Sequence, residues 1–307
     1  MFSCDTDKID FTTLIGRGSF GHVYPYCSKS KKDQKWVVKV METQSFDRLL
    51  AFIEEIVLGF SCQHPSILPM KGYSIKKDKL VFAAYLRMPQ MMGSLRQLVK
   101  NLIDHDIKLS EADVVRYFYA VASGLDYLHK KSISHRDIKP ENILIDWDGR
   151  LQIADIGGGL FISEDETSMH SLDTPFGTEQ YLPYEALKLR HELRNKDFYK
   201  IDSWSLGALI GELCTTKRLF AHHIHGEERR QSYFDEISQN GYSANLSECI
   251  QGLLRIDPKT RLSVQEVKEM LEKNFAEILN DLLQTNQTQK NTIAVLRLAD
   301  SYFHCYY

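Results

Sequence analysis

Apolar and polar positions follow two different patterns in the two parts of this chain. Between Ile9 and Val40, short β-branched and aromatic runs alternate with turn residues, which predicts three strands interrupted by a glycine cluster at 16–21. The second part is mainly helical in pattern, and Ser110-Glu111-Ala112-Asp113 has the spacing of a capping box before a helix that runs to about His129. The chain is therefore expected to be an α+β protein.

Other segments refine this outline. A helix is expected at about 45–60, and residues 79–85 should form the last strand of the first part. Two apolar runs at 143–145 and 151–153 flank an Asp-Gly turn, which predicts a β-hairpin. Apolar residues recur at helical spacing in 293–302, which is typical of a terminal helix packed on its own lobe, although a docking or autoregulatory tail has the same pattern.

Composition limits the classes of function. With 307 residues, 43% of them hydrophobic and 26% charged, the chain should be a soluble globular protein of about two domains or lobes. A net charge of -3 argues against bulk electrostatic binding to nucleic acid or an anionic membrane. The sequence has no apolar run long enough for a membrane span and no signal-peptide pattern, and its six cysteines are scattered. An intracellular location, cytoplasmic or nuclear, is expected.

The chemically densest segment runs from His135 to Asn142. It holds five ionisable side chains, a proline and an amide in eight residues, between a helix-like run and a strand-like run. Loops held by rigid elements often carry function. By itself, the segment could also be a solvated turn, because charge runs between elements are common.

A glycine-rich motif, Gly16-Arg17-Gly18-Ser19-Phe20-Gly21, precedes a lysine in an apolar strand. The motif alone could open a Rossmann helix, but the following residues favour a strand, and strand–glycine loop–strand is the geometry of a flap over phosphates. Lys39 is either a snorkelling edge residue or a phosphate-binding ammonium that needs a carboxylate partner. Glu54 and Glu55 are the candidates for that partner, and Glu55 is favoured.

In this order, the motifs resemble those of eukaryotic-type protein kinases of the serine/threonine class. The resemblance rests on the glycine loop, Val37-Val38-Lys39, His64-Pro65-Ser66-Ile67, the 135–142 segment and Asp155-Ile156-Gly157. It implies a bilobal kinase domain at 9–273, with a β-rich N-lobe at about 9–86, a mainly α-helical C-lobe at about 90–273, and a C-terminal helical extension at 274–307. It also implies transfer of the ATP γ-phosphate to a serine or threonine hydroxyl of a protein substrate.

The same resemblance implies a nucleotide site that takes ATP with Mg²⁺. Lys39, held by Glu55, would contact the α- and β-phosphates, while Asn142 and Asp155 would hold the metal. Tyr85 to Pro89 would be the hinge that bonds adenine, with Ala84, or alternatively Phe82, as the gatekeeper. The residues expected to contact the nucleotide are Gly16, Arg17, Gly18, Ser19, Phe20, Gly21, Val23, Val37, Lys39, Ala84 and Leu86.

At the acceptor side, the resemblance assigns the catalytic base to Asp137. Lys139 would neutralise charge at the γ-phosphate, and Thr178 would bond the Asp137–Lys139 pair. Lysine and threonine at these positions indicate serine/threonine specificity. Glu141 suggests basic residues before the acceptor in the substrate.

Arg136 indicates control by phosphorylation, since a phosphate can dock on such an arginine and order a loop. Thr174 is the best-placed acceptor, and the proline after it points to a proline-directed upstream activating kinase. Against this control, Leu160 stands where many family members carry a second basic residue. Alternative acceptors are Thr167, Ser168 and Ser171.

Three departures from the family pattern keep a second class open. Pro183-Tyr184-Glu185 replaces Ala-Pro-Glu, Ile156 replaces phenylalanine, and the stretch from Arg87 to Met92 is slightly longer than the usual hinge. Glu185 is still expected to pair with Arg261, and Asp202 to brace the catalytic loop. The alternative is a pseudokinase that acts as a nucleotide-binding or scaffolding module, and the intact set of catalytic residues argues against it.

Overall fold

The computed structural model describes residues 6–18, 21–27, 36–162, 176–188, 193, 197–218, 227–284 and 287–298. Ser19 and Phe20 of the glycine loop lie outside these ranges, and so does Thr174. The alternative phosphate acceptors Thr167, Ser168 and Ser171 also lie outside the described residues.

The first lobe is an antiparallel sheet with a helix against one face. Its elements are β1 (Gly16–Gly18), β2 (Gly21–Tyr26), β3 (Trp36–Thr43), α1 (Phe46–Ser61), β4 (Gly72–Asp78) and β5 (Val81–Pro89). The strands pair in the order β1-β2-β3-β5-β4. The glycine motif is thus part of a β-hairpin, with Gly18 opposite Gly21, and does not open a helix.

Helix α1 begins at a serine cap and buries one face. The Ser45 hydroxyl accepts a hydrogen bond from the Arg48 N–H, which satisfies one of the donors left open at a helix start. Leu49, Phe52 and Ile56 recur at helical spacing and are buried in the core of the first lobe. Because α1 is fixed in this way, its Glu55 is buried as well.

Strand β5 extends further than the sequence indicated. The strand was expected to end near Tyr85 and to release a hinge, but it stays paired with β3 as far as Pro89, opposite Trp36. The predicted strand boundary is therefore wrong. The physical reason is that Tyr85, Leu86 and Met88 are all buried, so continued pairing satisfies their backbone groups in the sheet.

The second lobe is mainly helical, with short strands that hold its loops. Its elements are β6 (Gly93–Ser94), α2 (Leu95–Asp104), α3 (Glu111–Lys130), β7 (Ile133–Ser134), β8 (Ile143–Ile145), β9 (Leu151–Ile153), β10 (Leu160–Phe161), α4 (Tyr184–Lys188), α5 (Asp197–Thr215), α6 (Glu227–Gln239), α7 (Ala244–Leu253), α8 (Val264–Asn274), α9 (Ala276–Gln284) and α10 (Gln287–Arg297). Most of α3 and nearly all of α5 are buried, so these two helices form the centre of the lobe.

Short strands fix the segment that carries most of the ionisable residues. The segment 135–142 lies between β7, which pairs with β10, and β8, which pairs with β6 and β9. The predicted β8–β9 hairpin is confirmed, and Gly149 in its turn has a φ of 81°, a conformation that favours glycine. Both ends of the segment are therefore anchored in small sheets.

The C-terminal helix packs on its own lobe. Thr292 and Leu296 of α10 are buried, and the Thr292 hydroxyl lies in hydrogen-bond contact with Tyr117 of α3. The Asn101 amide of α2 donates to the Val295 carbonyl at 3.0 Å. Within the described residues, α10 therefore packs on α2 and α3 of its own lobe. In the same described ranges, we find no helix with the length and apolar character that are needed to cross a bilayer.

Candidate active site

Lys39 is held between two carboxylates. Its Nζ lies 2.6 Å from Glu55 Oε1 and 3.2 Å from Asp155 Oδ1, and the lysine and Glu55 are almost completely buried. Burial disfavours the charge on Lys39, but the charges of Glu55 and Asp155 outweigh it and raise the pKa of the lysine. The expected Glu55 contact is present, whereas Glu54 is exposed on the other face of α1.

The segment that follows Asp155 fits closely against α1. Asp155 has a φ of 58°, a left-handed conformation that aspartate adopts more readily than most residues. Ile156 is buried in the large core, so it keeps the apolar character expected at that position. A Cβ on Gly157 would lie 2.7 Å from the Cβ and Cγ of Glu55. Glycine is therefore required there for Asp155 and Glu55 to approach Lys39 together.

Asp137, Lys139 and Thr178 form a compact polar cluster. Lys139 Nζ lies 2.7 Å from Asp137 Oδ2 and donates to Thr178 Oγ1 at 2.8 Å. Thr178 Oγ1 in turn donates to Asp137 Oδ1 at 2.8 Å. The Asn142 amide donates to both the backbone carbonyl and the side chain of Asp137. Asp137 and Lys139 are each about one fifth exposed, so the cluster is accessible to a substrate.

A buried aspartate braces the backbone of the same loop. Asp202 of α5 has no exposed surface, and its carboxylate accepts the N–H groups of His135 and Arg136 at 2.8 and 2.7 Å. Burial alone would raise the pKa of Asp202, but hydrogen bonds, the largest from His129, hold it below its ordinary value. The bracing role expected of Asp202 is thus matched by its contacts.

Arg136 is bound to a backbone carbonyl and lies against an aromatic ring. Its Nε donates to the Gly158 carbonyl at 2.8 Å, and its guanidinium lies 5.5 Å from the centre of the Phe176 ring. Burial lowers its pKa. Gly158 and Phe176 lie on either side of the segment that contains Thr174, which is outside the described residues. Arg136 therefore holds the two ends of that segment through a carbonyl and an aromatic ring.

Four apolar residues expected to contact the nucleotide, Val23, Val37, Ala84 and Leu86, come together in one buried cluster. Val23, Val37 and Leu86 pack with Leu144 and Ala154 of the second lobe, so this cluster lies where the lobes meet. In the β1–β2 hairpin, a Cβ on Gly21 would lie 2.3 Å from the Val40 carbonyl, and Arg17 is exposed.

The β3–β5 register shows which residue of β5 lies beside Lys39. Leu86 lies directly opposite Lys39, and Met88 lies opposite Val37. Ala84 is opposite Met41, and the alternative Phe82 is still further along the strand, opposite Thr43. Leu86, rather than Ala84, is therefore the β5 residue beside the lysine.

A second polar cluster was not anticipated from the sequence. Arg96 at the start of α2 donates from Nε to Glu141 Oε1 at 2.7 Å and from Nη1 to Glu212 Oε1 at 2.6 Å. Its Nη2 also contacts the Tyr181 hydroxyl, which itself donates to Glu212 Oε2 at 2.5 Å. No local motif marks Arg96. The one signal in the sequence is Glu141, a carboxylate two residues after Lys139 that needs a cationic partner.

The expected Glu185–Arg261 pair is present and buried. Arg261 Nη1 lies 2.7 Å from Glu185 Oε1, and the arginine side chain has no exposed surface. Its guanidinium also donates to the backbone carbonyls of Lys200, Arg255 and Ile256 and lies 4.9 Å from the centre of the Trp204 ring. The replacement of Ala-Pro by Pro183-Tyr184 therefore leaves this pair intact.

Comparisons with known proteins agree with this site. Residues 9–294 match the family model for the protein kinase domain. The chain is 31% identical over 275 residues to an Aurora kinase of Saccharomyces cerevisiae, which covers 87% of this chain and 69% of the yeast protein. It is 28% identical over 267 residues to CBL-interacting protein kinase 26 of Oryza sativa subsp. japonica, which covers 85% of this chain and 51% of the rice protein. An Aurora kinase of Dictyostelium discoideum is 30% identical over 275 residues, with coverages of 85% and 64%.

The chain therefore belongs to the protein kinase family. The bilobal fold and the eukaryotic serine/threonine class that the sequence implied are confirmed, and the chain is a protein serine/threonine kinase.

Proposed function

We propose that the site around Lys39, Asp137 and Asp155 transfers the γ-phosphate of ATP, bound with Mg²⁺, to a serine or threonine hydroxyl of a protein substrate. The observation that carries this proposal is the Asp137–Lys139–Thr178 cluster, in which a carboxylate, an ammonium and a hydroxyl are in mutual contact and the charged pair stays partly exposed. Phosphoryl transfer depends mainly on positioning and on charge stabilisation, and this cluster can supply both.

On the nucleotide side, Lys39 would bind the α- and β-phosphates. Its ammonium is already oriented by Glu55, whose Oε1 accepts a hydrogen bond from it at 2.6 Å and whose side chain is almost completely buried. Hairpin β1–β2 would cover the phosphates, and the apolar cluster around Leu86 would hold the adenine.

The residues near Asp137 fit a magnesium site. The two described side-chain hydrogen bonds of Asn142 both use Nδ2, so its Oδ1 would be a hard oxygen donor for the metal, together with the carboxylate of Asp155. Bound Mg²⁺ would supply positive charge that offsets the phosphate oxygens.

At the acceptor side, Asp137 would orient the substrate hydroxyl and take its proton. The hydroxyl oxygen would form the bond to the γ-phosphorus as the bond to the β,γ-bridging oxygen breaks and ADP departs. Lys139 would balance the negative charge at the transferred group, and Thr178 would keep the Asp137 carboxylate in position through its hydrogen bond.

Control by an upstream kinase is proposed at Thr174. The support is the placement of Arg136, whose contacts with Gly158 and Phe176 lie on both sides of the loop that carries this threonine. An intracellular location, cytoplasmic or nuclear, is also proposed, since the free cysteines of the described residues fit a reducing compartment. The pseudokinase alternative gains no support, because the residues whose loss would define it are present and in mutual contact.

A radiolabelled ATP assay on a generic serine/threonine protein substrate tests the proposal. Asp137→Asn should lower kcat by about 10²–10⁴-fold, the usual contribution of a general base, while calorimetry still detects MgATP binding. Lys39→Met should instead weaken nucleotide binding itself. Asp148→Asn, in the exposed turn of the β8–β9 hairpin, is the control and should match the wild type. Equal activity in wild type, Asp137→Asn and Asp155→Asn would refute catalysis at this site.

A further inference from the structure

The guanidinium of Arg96 sits in a pocket that matches it on three sides. Glu141, Glu212 and Tyr181 each contact a different nitrogen of the group. Glu212 and Tyr181 are almost completely buried, while Arg96 itself is about one quarter exposed. A buried carboxylate such as Glu212 requires a cationic partner, so the pocket is built for a guanidinium.

The pocket adjoins the acceptor site. Glu141 follows Lys139 by two residues, and Tyr181 follows Thr178 by three. The two segments that meet at the Asp137–Thr178 hydrogen bond therefore also enclose the Arg96 guanidinium a few residues further along. An extended peptide advances about 3.3 Å per residue, so a substrate whose hydroxyl touches Asp137 has neighbouring residues within reach of this pocket.

The charges in the pocket cancel. Its two carboxylates, Glu141 and Glu212, face two guanidiniums, those of Arg96 and Arg218, the second of which lies 3.7 Å from Glu212. Burial disfavours the charge on Arg96, but the hydrogen bonds to Glu212 and Glu141 raise its pKa above the ordinary value. A basic substrate residue would therefore meet a neutral pocket, and it could enter only by displacing a side chain of the same chemistry.

We propose that Arg96 fills from within the chain a guanidinium subsite beside the acceptor, and so removes selection for arginine or lysine in the substrate. Arg96 is then a specificity-determining residue. The sequence suggested that Glu141 selects basic substrates, but Arg96 neutralises its carboxylate from within the chain. The inference rests on the protein kinase activity and extends it to the class of peptide that the site accepts.

Peptide phosphorylation with matched substrates tests the inference. The probes are serine peptides that are neutral around the acceptor and a set in which one arginine occupies each of five positions on either side in turn. The wild type should use arginine-containing and neutral peptides with similar kcat/KM. Arg96→Ala should gain about tenfold or more in kcat/KM for arginine at one position, the effect expected of a charge-assisted hydrogen bond. Lys100→Ala, which removes an exposed charge from the same helix, should gain no positional preference.

A binding measurement covers the case in which Arg96→Ala folds poorly. Methylguanidine should raise the Tm of Arg96→Ala and leave the wild type unchanged, because only the variant has an empty guanidinium pocket. In addition, Glu141→Gln in the wild-type background should leave the ratio of arginine to neutral peptides unchanged.

Several results would overturn the inference. The first is a wild-type preference for arginine of about tenfold or more that is lost in Glu141→Gln. The second is an Arg96→Ala variant that is folded and active but shows no positional preference. The third is a Tm of Arg96→Ala that methylguanidine does not raise. Loss of all peptide phosphorylation in the wild type would instead count against the proposed catalytic site. The two failures are therefore distinguishable in one assay.

Discussion

The hydroxyl of Thr178 donates a hydrogen bond to Asp137 at 2.8 Å and accepts one from Lys139 at the same distance. Asp137 and Lys139 belong to the loop between β7 and β8, whereas Thr178 belongs to the segment that leads into α4. One hydroxyl group thus joins the two segments that must align for transfer. It also fixes the direction of the carboxylate that would receive the acceptor proton.

Loss of this hydroxyl should slow the chemical step. Thr178→Val keeps the shape of the side chain but removes both hydrogen bonds, and we expect kcat to fall by about 10²-fold, as for a misplaced catalytic group. The KM for ATP should change little, since the hydrogen bonds of the Thr178 hydroxyl are with Asp137 and Lys139 and not with the phosphate-binding Lys39. Thr178→Ser keeps the hydroxyl and should retain most of the activity. Steady-state kinetics of the two variants test this prediction. An unchanged kcat in Thr178→Val would contradict a role of the Thr178 hydroxyl in positioning Asp137.

The β3–β5 register makes a prediction about nucleotide analogues. Shortening the residue beside Lys39 in Leu86→Ala should create space and allow an ATP analogue with a bulky adenine substituent to bind. Phe82→Ala, four residues away along β5, is the control and should leave the affinity for the analogue unchanged. Calorimetric titration of both variants tests the register. The assignment of Leu86 as the residue beside Lys39 would be wrong if Phe82→Ala gained affinity for the analogue and Leu86→Ala did not.

The buried Arg261–Glu185 pair should matter for stability more than an exposed pair does. Arg261→Met leaves the Glu185 carboxylate buried without its partner, and we expect a loss of about 3–5 kcal/mol in the free energy of unfolding. Arg261→Lys should also destabilise, because an ammonium cannot reproduce the donors that reach three backbone carbonyls. Arg150→Met removes the exposed pair with Asp148 and should cost at most about 1 kcal/mol. Denaturant unfolding measures all three.

Asp202 should make stability depend on acid pH. Its pKa in the folded protein lies below its ordinary value of 3.8, so its stabilising contribution is fully present above that value and is lost as the pH falls through the folded-state pKa. Asp202→Asn removes this contribution. The difference in unfolding free energy between wild type and Asp202→Asn should therefore be constant near about pH 5 and shrink below about pH 4.

The exposed Asp104→Asn provides the control for this measurement. Its unfolding free energy should follow that of the wild type from pH 5 down to the acid transition. A difference between wild type and Asp202→Asn that grows on acidification would show that the carboxylate is not stabilising in the folded state.

The sequence predicted those parts of the site that depend on local spacing. The expected contact between Lys39 and Glu55 is present, because Glu55 lies on the buried face of α1 whereas Glu54 is exposed. The Asp-Gly turn identified the β8–β9 hairpin. The end of β5 was not predictable, since it depends on pairing with a strand more than forty residues earlier. Arg96 was also missed, because its partners Glu141 and Glu212 are 45 and 116 residues away and no motif links them.

The contacts that Arg136 makes in the unmodified protein could not be predicted from the sequence. The sequence correctly indicates an arginine next to Asp137, and the family pattern indicates what such an arginine binds. Its actual neighbours, the Gly158 carbonyl and the Phe176 ring, are set by how the chain folds back after Asp155. The sequence therefore identifies the arginine, but the groups that accept its hydrogen bonds or stack on it depend on the tertiary fold.

The close approach of Gly157 to Glu55 has a consequence for ligands that act on this enzyme. Because there is no room for a Cβ between them, α1 and the Asp155 segment cannot be displaced independently without opening a gap or creating a clash. A compound that favours an outward α1 and a compound that favours a displaced Asp155 would then select the same rearrangement. Their binding would be positively cooperative, and each would raise the affinity for the other by the same factor.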